Sequence, residues 1–443
     1  MKNIDENTYH FVGIKGAGMS ALAQILHGMG CHVKGSDIEK EFFTQKPLEK
    51  LGIPITSFHE DNINKEDVVI MSRAFNESNE EVKKSMELKN GKYYFDFLGE
   101  FIAKFNTSIA ISGSHGKTST TGLMAHVLSS MEKTSFLIGD GTGKGSPDSK
   151  YMVFEACEYK NHFLSYKPDY AIVTNIDFDH PDFFHSIEDV KSSFQRFAYN
   201  VQKAIVVYGD QKETSELKSN AKVWKYGFSH ENDLHADNIK VDNNGTTFDV
   251  YQKGTRLDTI TIPTVGDHQV LNALAVISVL LLEGINIRDA KQRFQSFGGV
   301  KRRFNETSLG TNIVVDDYAH HPTEIKATLQ SIRLKYPKKK AVVLFQPHTY
   351  SRTVALYDEF IDALQGFDDV YVAEIFGSAR EKNGKHSVSS KDMVRDMKKD
   401  NAEFVSDNIP NKYFEYENSV IAFLGAGDVN KYKEEYLSKK ATL

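Results

Sequence analysis

Cysteine is nearly absent: Cys31 and Cys157 are the only two in 443 residues. They are too few and too far apart for a disulfide framework or a cysteine zinc site, so a reducing cytoplasm is the expected setting. A basic excess is missing as well. The formal net charge of −6 gives no general grip on a polyanion, which argues against a dedicated nucleic-acid binder and makes any phosphate recognition local. Long hydrophobic runs are also lacking. The longest apolar stretch, Val270 to Leu282, contains Asn272 and is too short to span a bilayer, so no membrane partner is expected. The stretch MKNIDENTYHFVGI lacks the basic segment and long apolar segment of a secretory signal. Tandem repeats and low-complexity tracts are not found.

What is present is alternation. At this length the chain suits roughly two to four domains, because single cores stop growing near about 250 to 300 residues. Short apolar runs alternate with helical patterns from residue 9 to about 106, as in βαβ units with a parallel sheet. HFVGI, CHVKGSD and DVVIMS read as strands there. The same logic restarts at SIAISG, followed by AIVTNI and AIVVYG, and again after Gly298-Gly299 with NIVV, AVVLF, VYVAE and VIAFLG. Three α/β domains are therefore expected, at 1–106, 107–298 and 299–443. Between about 221 and 262, turn signals at Asn244-Gly245 and Lys253-Gly254 predict a small antiparallel insertion.

The polar residues suited to chemistry follow directly after apolar strands, where open α/β sheets bind ligands. After SIAIS comes Gly113-Ser114-His115-Gly116-Lys117-Thr118-Ser119. This is a shortened phosphate loop, with Ile111 in place of the first glycine of GxxxxGK[ST]. Its glycines let backbone N–H groups turn inward, Lys117 would meet the β- and γ-phosphates, and Thr118 would ligate Mg²⁺. A nucleoside triphosphate is the expected ligand. Gly13 to Ala21 carries GxGxxA through Gly16 and Gly18, with Asp37 at the end of the second strand. That pattern suits a nucleotide diphosphate, although tight helix–strand packing asks for the same glycines.

Glu155, Glu158 and His180 are candidates to complete a metal site. Asn272 lies one helical turn after His268 and is a candidate base reader. Asp316-Asp317-Tyr318-Ala319-His320-His321-Pro322 packs two carboxylates and two imidazoles between a strand and a helix. Zinc is disfavoured there, since no third ligand stands at helical spacing and adjacent histidines point in different directions. In Gln346-Pro347-His348-Thr349-Tyr350-Ser351-Arg352, Arg352 can clamp a carboxylate through two parallel hydrogen bonds.

Taken in order, HFVGIKGAGMSALA, SGSHGKTSTT, FEACEYKNHF, TNIDFDHPD, GDHQVLNALA, GGVKRRF, DDYAHHPTEI, FQPHTYSRT and GAGD resemble the Mur ligase family, the amide-forming enzymes of peptidoglycan precursor synthesis. The resemblance is to the branch that joins UDP-N-acetylmuramate to L-alanine. It implies an N-terminal Rossmann-like domain for the UDP-sugar, a central P-loop ATPase-type domain, and a C-terminal Rossmann-like domain that closes over ATP and the amino acid. By the same resemblance, Gly16, Gly18, Ser36, Asp37, Ser72, Arg73 and Asn175 would serve the UDP-sugar. Gly113 to Ser119, His268, Asn272, Arg302 and Asp316 would surround ATP. Thr118, Glu155 and His180 would hold two Mg²⁺ ions, and Tyr318, His348 and Arg352 would face the alanine. Thr349 departs from the FQPHRY form of many relatives, which puts extra weight on Arg352.

The implied chemistry passes through an acyl phosphate made from the muramoyl carboxylate and ATP, with Lys117 offsetting charge and His348 as the base for the amine. A sibling ligase that adds a preformed tripeptide is the nearest alternative. A nicotinamide-dependent dehydrogenase and a non-catalytic nucleotide switch rank below both, because neither explains the whole motif set. A monomer or homodimer is expected.

Overall fold

The computed structural model describes residues 7–242, 244–377, 381 and 387–441. Three sheets form along the chain. The first contains β1 (Thr8–Val12), β2 (His32–Ser36), β3 (Ile55–Thr56), β4 (Val68–Met71) and β5 (Gly91–Tyr93). Its order is β3-β2-β1-β4-β5, with every pair parallel. The strand order reverses between β1 and β4, so the glycine loop after β1 opens at the crevice where such sheets take ligands.

The second sheet has ten strands. They are β6 (Thr107–Ser112), β7 (Thr134–Leu137), β8 (Gly143–Lys144), β9 (Tyr151–Glu155), β10 (Tyr170–Val173), β11 (Ala204–Tyr208), β12 (Lys222–Gly227), β13 (Leu234–Asp242), β14 (Gly245–Gln252) and β15 (Thr255–Ile262). The order is β15-β14-β13-β12-β11-β10-β6-β9-β7-β8. β6 is buried throughout, which explains its unbroken apolar and small-residue character. The expected insertion at 221–262 differs in kind. β12 continues the parallel sheet beside β11, and only β13 to β15 form an antiparallel meander on its edge. The turn between β14 and β15 uses Lys253 at φ 47° and Gly254 at φ 79°, the pair of positive values that a two-residue hairpin requires.

The third sheet contains β16 (Asn305–Leu309), β17 (Asn312–Asp317), β18 (Lys340–Phe345), β19 (Asp369–Ala373), β20 (Ala402–Val405) and β21 (Ser419–Leu424). The order is β16-β17-β21-β18-β19-β20, parallel except for β16 at the edge. β16 reads NETSL and is mostly exposed, so no apolar pattern marks it in the sequence.

Packing joins the first two sheets. One cluster of buried side chains runs between them and includes Phe11, Leu98, Phe101, Phe154, Tyr166 and Phe197, each burial of a large apolar side chain contributing about 1.5–3 kcal/mol. The β7–β8 hairpin lies against the helix Ala17–Gly28, and Gln24 Nε2 donates to the Gly141 carbonyl at 2.9 Å. Contact is so close that a Cβ on Gly143 would sit 1.9 Å from the Ala21 carbonyl oxygen. The apolar run from Val270 is the helix Asp267–Leu282, buried on nearly all sides. Among the described residues, no helix is long and apolar enough to cross a membrane.

Candidate functional site

The loop Gly113–Gly116 leaves β6 and ends at the N-terminus of the helix Lys117–Ser129, which no side chain caps. Gly113 has φ +134°, and a Cβ there would meet Thr174 Oγ1 at 2.0 Å. Glycine is required on both counts. The loop is held from the end of β10. Asn175 Oδ1 accepts the His115 N–H at 2.9 Å and its Nδ2 donates to the His115 carbonyl at 3.0 Å. Asn175, expected near the UDP-sugar, thus lies on the phosphate loop itself.

Lys117 Nζ donates to the Ser114 carbonyl at 3.1 Å and pairs with Glu158 at 2.9 Å. Burial pushes the Glu158 carboxyl up, but Lys117 and His180 outweigh it and hold the group below the usual range. Thr118 Oγ1 donates to Glu155 Oε2 at 2.9 Å. Burial raises the Glu155 carboxyl despite the nearby Lys117. His180, at φ 56°, brings Nε2 to 3.6 Å from Glu158 Oε1. The acidic side chains behind the loop are therefore two pairs, Thr118 with Glu155 and His180 with Glu158, and Glu158 is as central as Glu155.

In front of the loop lies a cavity of about 470 Å³ between the second and third sheets. His115, Gly116, Ser119, His268 and Asn272 line one side. Arg303, Phe304, Asp317, Thr323 and Glu324 line the other. His268 is half-buried, with an enclosed Nδ1 that has no hydrogen-bond partner, and desolvation lowers it to about 4. Arg302 and Asp316, expected around ATP, do not line this cavity. Arg302 donates to the Gly425 carbonyl at 2.6 Å, and Asp316 pairs with Lys433 at 2.8 Å. Their neighbours Arg303 and Asp317 line it instead: Asp316 and Asp317 face opposite sides of β17, and Arg302, at φ 53°, lies in the turn before β16. Burial lifts the Asp317 carboxyl to about 6.

The expected alanine end holds Tyr318, His348 and Arg352, but differently from the expectation. Tyr318 sits against both guanidinium groups, 5.0 Å from Arg302 and 5.2 Å from Arg303. Arg352 is 4 % exposed, and its Nε donates to Asp179 Oδ1 at 2.8 Å while Nη1 donates to the His348 carbonyl at 3.2 Å. Those donors are already engaged, so the two-pronged carboxylate clamp is not free in this arrangement. Burial, with His320 and Arg352 nearby, lowers His348 to about 3. An imidazole held so strongly neutral is a poor acceptor for an ammonium proton, which counts against it as the base. Thr349, the departure from the usual motif, adopts φ 68°.

At the first sheet, Gly16 precedes the uncapped N-terminus of the helix Ala17–Gly28, the local geometry of an anion site. A Cβ on Gly18 would collide with the Tyr94 hydroxyl at 2.7 Å. Ser72 and Arg73 follow β4, and Arg73 lies exposed over the Tyr93 ring. Ser36 and Asp37 are spent internally. Ser36 is fully buried and donates to Glu81, and Asp37 Oδ2 accepts the Lys15 N–H at 2.7 Å. Both shape the loop from within, where a ligand-facing role was expected.

A second helix terminus meets the phosphate loop across the cavity. His115 Nε2 lies 3.0 Å from Asp177 Oδ2, and His115 Nδ1 lies 3.7 Å from Glu324 Oε1. Burial would lower His115, but hydrogen bonds to Asp177 and Glu324 outweigh it and raise it to about 9. Asp177, Asp179 and Glu324 were missed as site residues. Asp177 and Asp179 belong to the polar run after β10, while the fold alone brings Glu324 to the loop.

A phosphate loop facing a second α/β domain, with carboxylates behind it, is the working arrangement of enzymes that spend a nucleoside triphosphate. Within that class the chain belongs to the Mur ligase family, whose members are ATP-dependent amide ligases. Family profiles match residues 8–106 (Mur ligase family, catalytic domain), 111–280 (Mur ligase middle domain) and 302–422 (Mur ligase, glutamate ligase domain). The chain is similar to UDP-N-acetylmuramate-alanine ligase from Thermotoga maritima, with 28% identity over 98% of this chain and 99% of that one, and a TM-score of 0.80. It is also similar to UDP-N-acetylmuramate:L-alanyl-gamma-D-glutamyl-meso-diaminopimelate ligase from Neisseria meningitides, with 26% identity over 67% and 99% of the chains and a TM-score of 0.59. A murein peptide ligase from Psychrobacter arcticus shares the fold at 20% identity, covering 99% of each chain with a TM-score of 0.69. The chain is thus an ATP-dependent ligase of peptidoglycan precursors.

Proposed function

We propose that the chain joins the carboxylate of UDP-N-acetylmuramate to the amine of L-alanine, releasing ADP and phosphate through an acyl phosphate. The observation that carries this reading is the phosphate loop, bearing Lys117 and the Thr118–Glu155 pair, whose His115, Gly116 and Ser119 line a cavity closed by the third sheet's domain. The similarity to the Thermotoga alanine ligase along nearly the whole chain supports alanine as the amine.

ATP would lie in the cavity with its phosphates at the loop. The Asn272 amide and the rings of Tyr208 and Phe304 suit a purine. Lys117 then exchanges Glu158 for phosphate oxygens and offsets charge on the transferring group. Thr118 with Glu155, and Glu158 with His180, offer the hard donors that Mg²⁺ takes, with imidazole the less usual partner. Bound there, magnesium would withdraw charge from the phosphoryl oxygens. The muramoyl carboxylate attacks the γ-phosphorus, ADP leaves, and the neutral alanine amine attacks the acyl carbonyl to expel phosphate. The diphosphate of the UDP-sugar suits the helix start after Gly16.

The second reading, addition of a tripeptide, is favoured by the 26% identity to the Neisseria ligase. The test is phosphate release from ATP and UDP-N-acetylmuramate with and without L-alanine. Release that ignores alanine, or no release, would sink the proposal.

A further inference from the structure

Of the adjacent pair His320 and His321, His320 turns to Glu324 at 3.1 Å, while for His321 the fold supplies two possible co-ligands from another domain. His115 Nε2 lies 3.0 Å from Asp177 Oδ2, and His321 Nδ1 lies 3.8 Å from the same oxygen. One ligand atom from each of the three residues falls within 4.8 Å of the others, and among the described residues no other group of three does so. A tetrahedral ion with bonds of about 2.0–2.2 Å keeps its ligands roughly 3.2–3.6 Å apart. The two distances to Asp177, 3.0 and 3.8 Å, lie on either side of that value, and the third pair is within 4.8 Å, so the side chains must draw together to close the site.

The far nitrogens are equally telling. His115 Nδ1 faces Glu324 Oε1 at 3.7 Å, and His321 Nε2 is 3.2 Å from the Phe178 carbonyl. The Phe178 carbonyl can receive the His321 Nε2–H and leave Nδ1 as its lone-pair atom, whereas His115 Nε2 donates to Asp177 Oδ2, so an ion would bind there by displacing that proton, with Glu324 facing the other nitrogen. Thr323 Oγ1 donates to Asp177 Oδ2 at 2.8 Å and steadies the carboxylate. His321 Nδ1 also accepts the Thr323 amide as the cap of its helix, at a long 3.3 Å that an ion would replace. Two imidazoles and one carboxylate suit zinc and its neighbours far better than magnesium.

We propose that His115, Asp177 and His321 form a site for a zinc-class divalent ion, with a fourth position open to the cavity that His115 and Asp177 line. The site shares no residue with the two pairs offered to magnesium. Its ligands come from both sides of the cavity, so the ion ties the phosphate loop to the N-terminal end of the helix Pro322–Lys335.

The test uses the full chain with excess Mg²⁺, titrated with Co²⁺ and with Zn²⁺. One Co²⁺ should bind with the intense visible band of four-coordinate cobalt, and Zn²⁺ should displace it. The band should survive Glu155→Gln and weaken at least about tenfold in His321→Ala and in Asp177→Asn. Zinc-edge X-ray absorption on the unsubstituted chain should show two imidazoles, which keeps the test decisive even if a variant fails to fold. A missing band, a band kept by folded His321→Ala or lost in Glu155→Gln, or a zinc shell with fewer than two imidazoles would overturn the proposal.

Discussion

Arg352 Nε donates to Asp179 Oδ1 at 2.8 Å, and the two nearly buried side chains join the third sheet's domain to the loop after β10. Breaking one half of a buried pair leaves an uncompensated charge, at a cost of about 3–5 kcal/mol. Arg352→Gln is expected to lower both the melting temperature and kcat/KM. Asp179→Asn should do the same, and the double variant should lose less than the sum of the two. Simple additivity in a double-mutant cycle would contradict the pairing.

Lys117 and Glu158 form a second buried pair with a separable consequence. Lys117→Met should reduce phosphate release by about a hundredfold or more and also destabilise the chain by stranding Glu158. Adding Glu158→Gln should recover stability without recovering activity. Melting curves read beside the phosphate assay distinguish the two effects.

The buried histidines predict a bell-shaped dependence of stability on pH. His268 and His321 are lowered to about 4 and His348 to about 3, against about 6.5 in an unfolded chain. Between those values the unfolded chain binds more protons, so stability falls as pH drops below about 6.5. His115 is raised to about 9; its contribution is full below about 6.5 and is lost as pH rises through the folded value. The melting temperature should peak between these limits, and His115→Gln should weaken the alkaline limb. A melting temperature unchanged by that substitution at every pH would count against the assignment.

Gly143→Ala places a Cβ 1.9 Å from the Ala21 carbonyl oxygen, where backbone meets backbone. It should lower the melting temperature and loosen the first domain from the second, as read by hydrogen exchange in the helix Ala17–Gly28. Gly298→Ala, where nothing lies within 4 Å, is the control and should be tolerated.

The phosphate loop was legible because its function dictates residue type at consecutive positions: glycine where φ is positive, then Lys117 and Thr118. Central strands such as β6, β10 and β18 were legible because burial on both faces leaves runs of apolar and small residues. β16 was not, being a polar edge strand. The choice between Arg302 and Arg303, and between Asp316 and Asp317, depends on which way one strand and its neighbouring turn face, and neighbouring letters carry no such information. Ser36 and Asp37 stand where a ligand-binding pair would stand in the sequence, yet the same side chains can turn inward to brace the loop. Asp179 and Arg352 lie 173 positions apart and become partners only through the packing of two domains.

The proposed choice of L-alanine as the amine is tested most directly by competition. The direct measurement offers L-alanine and the L-alanyl-γ-D-glutamyl-meso-diaminopimelate tripeptide together, at equal concentration, with ATP, Mg²⁺ and UDP-N-acetylmuramate, and reads the product by mass. The single-alanine adduct is the expected main product. A tripeptide adduct in its place, or no amide product from a folded chain, would contradict it.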